Sequence, residues 1–250
     1  AWAPAPVRTW CIDATPNQSR LQATITSLGP LLLAQLLDLS DVQAAVLQVV
    51  FRIAREHRKP LNSLTDLRQL LLWVQASRAE LATAYGAIAE STISAIQRAL
   101  LVLEEQQALG FFASAQTPLA DLIQTHEGKG VVNLLDATSL LHQPVLYATV
   151  FSWLLTRLYE ELPEAGDLAQ PRLVIFIDEA HLLFETLGKT LQDNLQRTVR
   201  LIRSRGVGVY FVTQLPSDVP DEVLGQLGNR IQHVLRAYTP RDQKGVHVAA

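Results

Sequence analysis

The sequence predicts an α/β protein: a mostly parallel sheet with an inserted, all-helical subdomain. Two observations carry this. From about residue 28 to 110 the apolar pattern is helical throughout and no strand signal interrupts it. After about residue 118, short and almost wholly apolar runs alternate with helical patterns. Strands that are apolar along their length suit a parallel sheet covered on both faces and joined by helical crossovers. A chain of 250 residues, 48% hydrophobic and 18% charged, has ample material for such a core.

The elements follow in order. Residues 7–12, "VRTWCI", form a short β-rich run, and residues 1–27 read as an edge strand and linker. The helical subdomain spans 28–117. Pro30 suits a first helical position before "LLLAQLLDL". Ser40 with Gln43, and Ser63 with Asp66, have the spacing of capping boxes before "DVQAAVLQVVFRIAREH" and "LRQLLLWVQ". A further helix runs from about Ser91 and stops at Gly110, a residue suited to a C-terminal cap. Residues 118–250 form the α/β core. Strands are predicted at 130–135, 172–177, 207–213 and 230–238, and helices at 144–162, 191–205 and 221–229. Thr239, Pro240 and Asp242 mark the start of a final helix.

Composition narrows the function. The net charge of -3 gives no global pull toward nucleic acid. The single cysteine, Cys11, cannot form an internal disulfide, which fits a reducing cytoplasm. The histidines never fall at H-x(3–5)-H spacing, so zinc is not expected. The uncharged stretch Leu21 to Leu37 is broken by Gly29-Pro30 and several hydroxyls, so no membrane span is expected. No basic segment precedes an apolar core at the N-terminus, as a signal peptide would require. Methionine is absent even at position 1, and the chain reads as beginning inside a longer sequence.

The chemistry centres on "RLVIFIDEAHLLF", residues 172–184. Five apolar residues run into Asp178 and Glu179. In a parallel α/β sheet, ligands bind at the carboxyl ends of strands. An aspartate there can hold Mg²⁺ through water, and the next carboxylate can orient or deprotonate an attacking water. This is the logic of a Walker B element; read from the residues alone, the pair could equally cap the strand end. The strand at 207–213 ends in Thr213-Gln214, where a glutamine could sense a γ-phosphate or simply form the turn before Pro216. Between these strands lie Arg197, Arg200, Arg203 and Arg205, with no acid in nine residues. They suit nucleic-acid phosphates, an arginine finger reaching a neighbouring subunit's nucleotide, or a solvated helix face. Arg203 and Arg205, at the helix end beside the next strand, are the better finger candidates. Gly188-Lys189-Thr190 has the tail of a phosphate loop, but Leu183 stands where its first glycine would be needed. "GKG" at 128–130 fails likewise.

"VIFIDEAHLLF" together with "VRLIRSRGVGVYFVTQLPSDVPDEVLGQLGNRIQHVLRAYTPRDQKGV" resembles the C-terminal part of the HerA-like ATPases, in the HerA–FtsK branch of RecA-fold motors. More narrowly, the chain is similar to the bacterial helicase HerA-like C-terminal group. The likeness is strongest from about 172 to 248 and extends upstream to "LGPLLLAQLL", where that family carries a helical insertion. It implies a RecA-like, P-loop-type ATPase core using ATP and Mg²⁺. It also implies a homo-oligomeric, hexameric ring with each nucleotide between subunits, acting on DNA as a translocase or helicase, with a partner nuclease as a further expectation. Carried over, Asp178 is the Mg²⁺-side carboxylate, acting through water, and Glu179 is the catalytic one. Gln214 is the sensor, Asp178 and Thr213 are the nucleotide-side residues, and Arg203 or Arg205 acts in trans. The family's phosphate loop would precede Ala1, so the chain alone is expected to bind ATP poorly. The alternative is a nucleotide-independent interaction module built on the 28–110 helices, with a degenerate site.

Overall fold

The protein is described by a computed structural model covering residues 4–13, 18–105, 110–166, 168–215 and 218–231. The chain divides into two compact units, Ala1–Leu146 and Tyr147–Ala250.

In the first unit, β1 (Val7–Cys11) lies between β2 (Ser19–Arg20) and β5 (Val132–Leu135), all parallel. The register runs from Val7 opposite Val132 to Trp10 opposite Leu135. The Trp10 indole is buried and donates its Nε1–H to Asn133 Oδ1 at 2.8 Å, which satisfies the one polar atom of that ring. Five helices sit between these strands in sequence: α1 (Ile25–Leu36), α2 (Asp41–Glu56), α3 (Leu64–Ala76), α4 (Arg78–Tyr85) and α5 (Glu90–Glu105). Leu33, Leu47, Ile53, Leu67, Leu71, Ile93 and Leu100 are completely buried on their inner faces. That is the apolar stripe read from helical periodicity.

Both expected capping boxes form. Gln43 Oε1 accepts from Ser40 N at 3.0 Å, and Ser63 and Asp66 bond each other's backbone N–H at 3.2 and 2.8 Å. A third box, Thr24 with Ser27, starts α1 earlier than expected. The helix breaks at Gly29 (φ 78°) and resumes at Pro30, so the proline does open a helical segment, but inside α1.

The described part of α5 runs to Glu105, and the expected stop before Gly110 falls on 106–109, outside the described residues. Gly110 itself is required by packing: a Cβ there would lie 2.0 Å from the Ile12 carbonyl oxygen. The residue is needed where two backbones touch. Just beyond it, Ala23 N donates to Phe111 O (2.8 Å) and Ala113 N to Ala23 O (3.0 Å), returning the chain beside the segment that follows β2. The "GKG" run lies in a small hairpin, β3 (Thr125–His126) with β4 (Lys129–Gly130), turning at Glu127 (φ 52°) and Gly128 (φ 75°).

In the second unit, the long helix α6 (Pro144–Glu161) buries Tyr147, Val150, Trp153, Leu155 and Leu158. It leads to β6 (Leu173–Ile177), which pairs in parallel with β7 (Val207–Phe211), Leu173 opposite Val207 and Ile177 opposite Phe211. The crossover contains α7 (His181–Glu185) and α8 (Lys189–Leu201), which tightens into a 3₁₀ turn at Ile202–Arg205. Gly206 ends it in the left-handed region (φ 76°). A short α9 (Asp221–Leu224) follows, less than half the length expected for 221–229. Arg230 and Ile231 are not in a strand, and the rest of the expected 230–238 strand and the helix from Thr239 lie outside the described residues.

The expectation of a sheet covered on both faces is not met over β6 and β7 among the described residues. Val174, Phe176 and Tyr210 share one face and are 38%, 67% and 47% exposed, with the two rings stacked 4.7 Å apart.

Candidate functional site

The acidic pair stands out of the sheet. Val212 N donates to Ile177 O, and Ala180 N donates to Val212 O, both at 2.9 Å. Val212 therefore pairs with residues on either side of Asp178 and Glu179, and those two residues form a loop outside the ladder at the carboxyl end of β6. Leaving the ladder puts Glu179 at φ 49°, a left-handed conformation rare for a residue with a Cβ. Ile177 and Ala180 are fully buried, so the loop is pinned at both ends, with Asp178 exposed and Glu179 half-buried.

A tyrosine holds the loop from below. Tyr147, on α6 and 2% exposed, donates its hydroxyl to the Asp178 carbonyl at 2.5 Å. Burial raises the pKa of that hydroxyl well above the ordinary tyrosine value, and the charges of Asp178 and Glu179 push it further. It remains a donor throughout the physiological range. Sequence reading missed Tyr147, because it is one aromatic among many in an apolar helix and lies 31 residues from its partner.

Asp178 is exposed, and its Oδ1 accepts from Glu179 N at 3.0 Å. Glu179 Oε2 lies 3.2 Å from His181 Nδ1, a charged contact only when the imidazole is protonated. That oxygen is buried and receives no aligned hydrogen bond, so it is an acceptor without a donor. His181 thus flanks Glu179.

Beyond Val212, Thr213 donates its hydroxyl to Asp218 Oδ2 at 2.6 Å, and Leu215 N donates to the same oxygen at 3.1 Å. Asp218 therefore ties down the turn that carries Gln214, whose side chain is exposed. The backbones of Asp178–Glu179 and Thr213–Gln214 leave the same end of the β6–β7 pair through Val212. Asp218 was not singled out from the sequence. An aspartate five residues after a strand-end threonine carries no strong signal by itself.

The arginines separate into two kinds. Arg197, Arg200 and Arg203 are exposed. Arg205 is turned inward: its guanidinium sits 5.1 Å from the Tyr159 ring centroid and 3.9 Å from Glu164 Oε1, with the side chain 20% exposed. Gly188-Lys189-Thr190 begins α8 and follows a helix, α7, so it lacks the strand-to-helix setting of a phosphate loop.

No group of three or more His, Cys, Asp or Glu that could cage a metal occurs among the described residues. An exposed aspartate at a strand end still fits Mg²⁺ in its usual mode, one carboxylate completed by water and substrate phosphates.

A family model for the helicase HerA-like C-terminal region matches residues 1–250. The chain belongs to this family. As a HerA-like chain it is similar to two proteins of Methanocaldococcus jannaschii, each bearing the name "Probable helicase". One is 37% identical over 90 residues, covering 34% of this chain and 16% of that protein. The other is 36% identical over 90 residues, covering 36% and 17%. The chain thus spans about a sixth of the length of these relatives. Among solved structures, the HerA-like chain is similar to the bacterial conjugative coupling protein TrwB. A sulphate complex matches at 14% identity and a TM-score of 0.52, over 88% of this chain and 53% of that one. A complex with the ATP analogue ADPNP matches at 14% and 0.52, over 96% and 57%. At that identity the likeness shows the fold alone, a mixture of helices and parallel sheet.

Proposed function

We propose that this chain supplies the hydrolytic edge of a HerA-like motor that burns ATP while acting on DNA. The observation that carries this reading is the acidic loop lifted out of β6 beside the end of β7. Asp178, exposed, would hold Mg²⁺ through water. Bound with ATP, the ion supplies neutralisation of phosphate charge. Glu179, with an undonated carboxylate oxygen, orients the attacking water and takes its proton. Gln214 hydrogen-bonds the γ-phosphate or the water, and the Thr213 hydroxyl lines the nucleotide side. Tyr147 fixes the peptide that carries both carboxylates.

Family membership and the relatives named as helicases support DNA as the substrate. The same reading makes the complete protein a cytoplasmic homo-oligomeric ring, a hexamer, with a partner nuclease. Arg203 or Arg205 reaches the neighbouring subunit's nucleotide; Arg203 starts exposed, whereas Arg205 would have to leave Tyr159. Residues 28–117 act as a helical subdomain inserted between 1–27 and the ATPase core of 118–250.

Glu179→Gln in the full-length protein is the direct test. Hydrolysis is expected to fall at least about 100-fold, the scale of a lost general base, while affinity for ATP stays within a few-fold. Unchanged turnover removes Glu179 from catalysis. Absence of turnover in the unaltered protein would favour the nucleotide-independent interaction module instead.

A further inference from the structure

We infer that the exposed face of α8 is a contact surface for the phosphate backbone of nucleic acid, with Arg197 and Arg200 as its anchors. The inference rests on the nucleic-acid motor reading above and adds the place where the strand is held.

The helix is strongly two-sided. Leu195, Thr198 and Ile202 are buried, whereas Asp193, Arg197, Arg200 and Ser204 are exposed and recur at three- and four-residue spacing along one stripe. Residues 189–205 carry five cations (Lys189, Arg197, Arg200, Arg203, Arg205) against one carboxylate, Asp193, in a chain whose net charge is -3. So dense a positive patch in an acidic chain marks an anionic partner more specifically than a basic patch in a basic chain would.

Arg197 and Arg200 are also available. Among the described residues neither Arg197 nor Arg200 is in an ion pair, although Asp193 stands one turn before Arg197. Arg52 and Arg78, by contrast, are neutralised locally by Glu56 and Glu90, each at 2.8 Å. Asp193, Gln196, Arg197, Arg200 and Leu201 line an open cleft of about 390 Å³. Two guanidiniums one helical turn apart, about 4.5 Å along the axis, present paired donor forks to successive phosphates. Gln196 adds a neutral donor and acceptor for sugar or phosphate, and Leu201 gives an apolar floor at one end. A regularly charged strand fits this linear array better than a single anion does.

The test is binding of a fluorescent oligothymidylate of about 30 nucleotides by the full-length protein across a salt series. Arg197→Gln with Arg200→Gln is expected to weaken binding on the order of 10-fold and to lower the slope of log affinity against log salt by about 1.4, two single-strand phosphates' worth. Arg197→Lys with Arg200→Lys restores most of the slope, and nucleotide turnover without DNA and the melting temperature stay unchanged for both variants. Wild-type affinity and slope in the glutamine variant overturn the inference, as does a loss that instead follows Arg55→Gln on α2 with Arg58→Gln in the turn beyond it. Loss of basal turnover with binding intact would assign the arginines to the nucleotide. Equal competition by poly-glutamate at matched charge would assign the face to an acidic protein. If the unaltered protein binds no oligonucleotide even at low salt, both this inference and the DNA part of the proposed function fail, while the Glu179→Gln experiment still decides the ATPase part.

Discussion

Glu179 is held in a conformation that costs a residue bearing a Cβ about 1–2 kcal/mol, and its buried Oε2 accepts no hydrogen bond. Strain of that kind persists where the flanking structure over-determines it, here through Val212 pairing on both sides of the loop. Glu179→Gly is therefore expected to keep or raise stability, by up to about 1 kcal/mol, while ATP turnover is lost. A urea midpoint below that of the parent would show that the left-handed backbone is not strained. Tyr147 gives a second residue-scale expectation, with a defined sign. Its folded pKa is raised above the ordinary 10.0, so its contribution is complete below that value and declines as pH rises beyond it. Tyr147→Phe should cost about 0.5–1.5 kcal/mol at neutral pH through the lost bond to the Asp178 carbonyl, and should flatten the alkaline fall in stability. Urea titrations at neutral pH and above pH 10 measure both. An unchanged alkaline limb would mean that the hydroxyl is not the group titrating there.

Among elements, the helices were the most legible part of the sequence, because their signals are local. Ser40 with Gln43 and Ser63 with Asp66 announced α2 and α3 within four residues of their starts, and apolar periodicity gave the buried faces. Ser63→Ala is expected to cost about 1 kcal/mol, read as a lower melting temperature, since it removes the acceptor for Asp66 N. The strands at β1, β5, β6 and β7 were readable for the same reason. Their grouping was not, since pairing depends on contacts far apart in sequence. The helix α4 escaped notice because only Leu81 of its eight residues is buried, too little to show a period. Gly110 was readable as a helix cap, but its close backbone approach to Ile12 was not, since it depends on a residue far away in sequence. Gly110→Ala should destabilise the first unit by about 1–3 kcal/mol, the scale of overpacking, where a merely exposed cap position would tolerate it far better. Of the candidate site, Asp178 and Glu179 could be read from one strand. Tyr147 and Asp218 could not, because each is defined by a partner that only folding brings near.

At the scale of the whole molecule, the proposed chemistry and the proposed binding surface fall on different parts of the second unit. The acidic loop occupies the carboxyl end of β6, and the basic stripe occupies the outer face of α8, the helix of the crossover that joins β6 to β7. An overall charge of -3 conceals this arrangement, which is why composition alone gave no pull toward nucleic acid. Among the described residues, the exposed face of Val174, Phe176 and Tyr210 leaves β6 and β7 without the cover a parallel sheet usually has. Hydrolysis is accordingly a property to be measured on the complete protein, because this chain spans about a sixth of the relatives it matches. The most direct measurement is steady-state ATP hydrolysis by the full-length protein in Mg²⁺, with and without DNA. Turnover that DNA accelerates, and that disappears in Glu179→Gln, is the expected result; no turnover under either condition, or turnover indifferent to Glu179, would contradict the assignment of the β6 loop as a hydrolytic site.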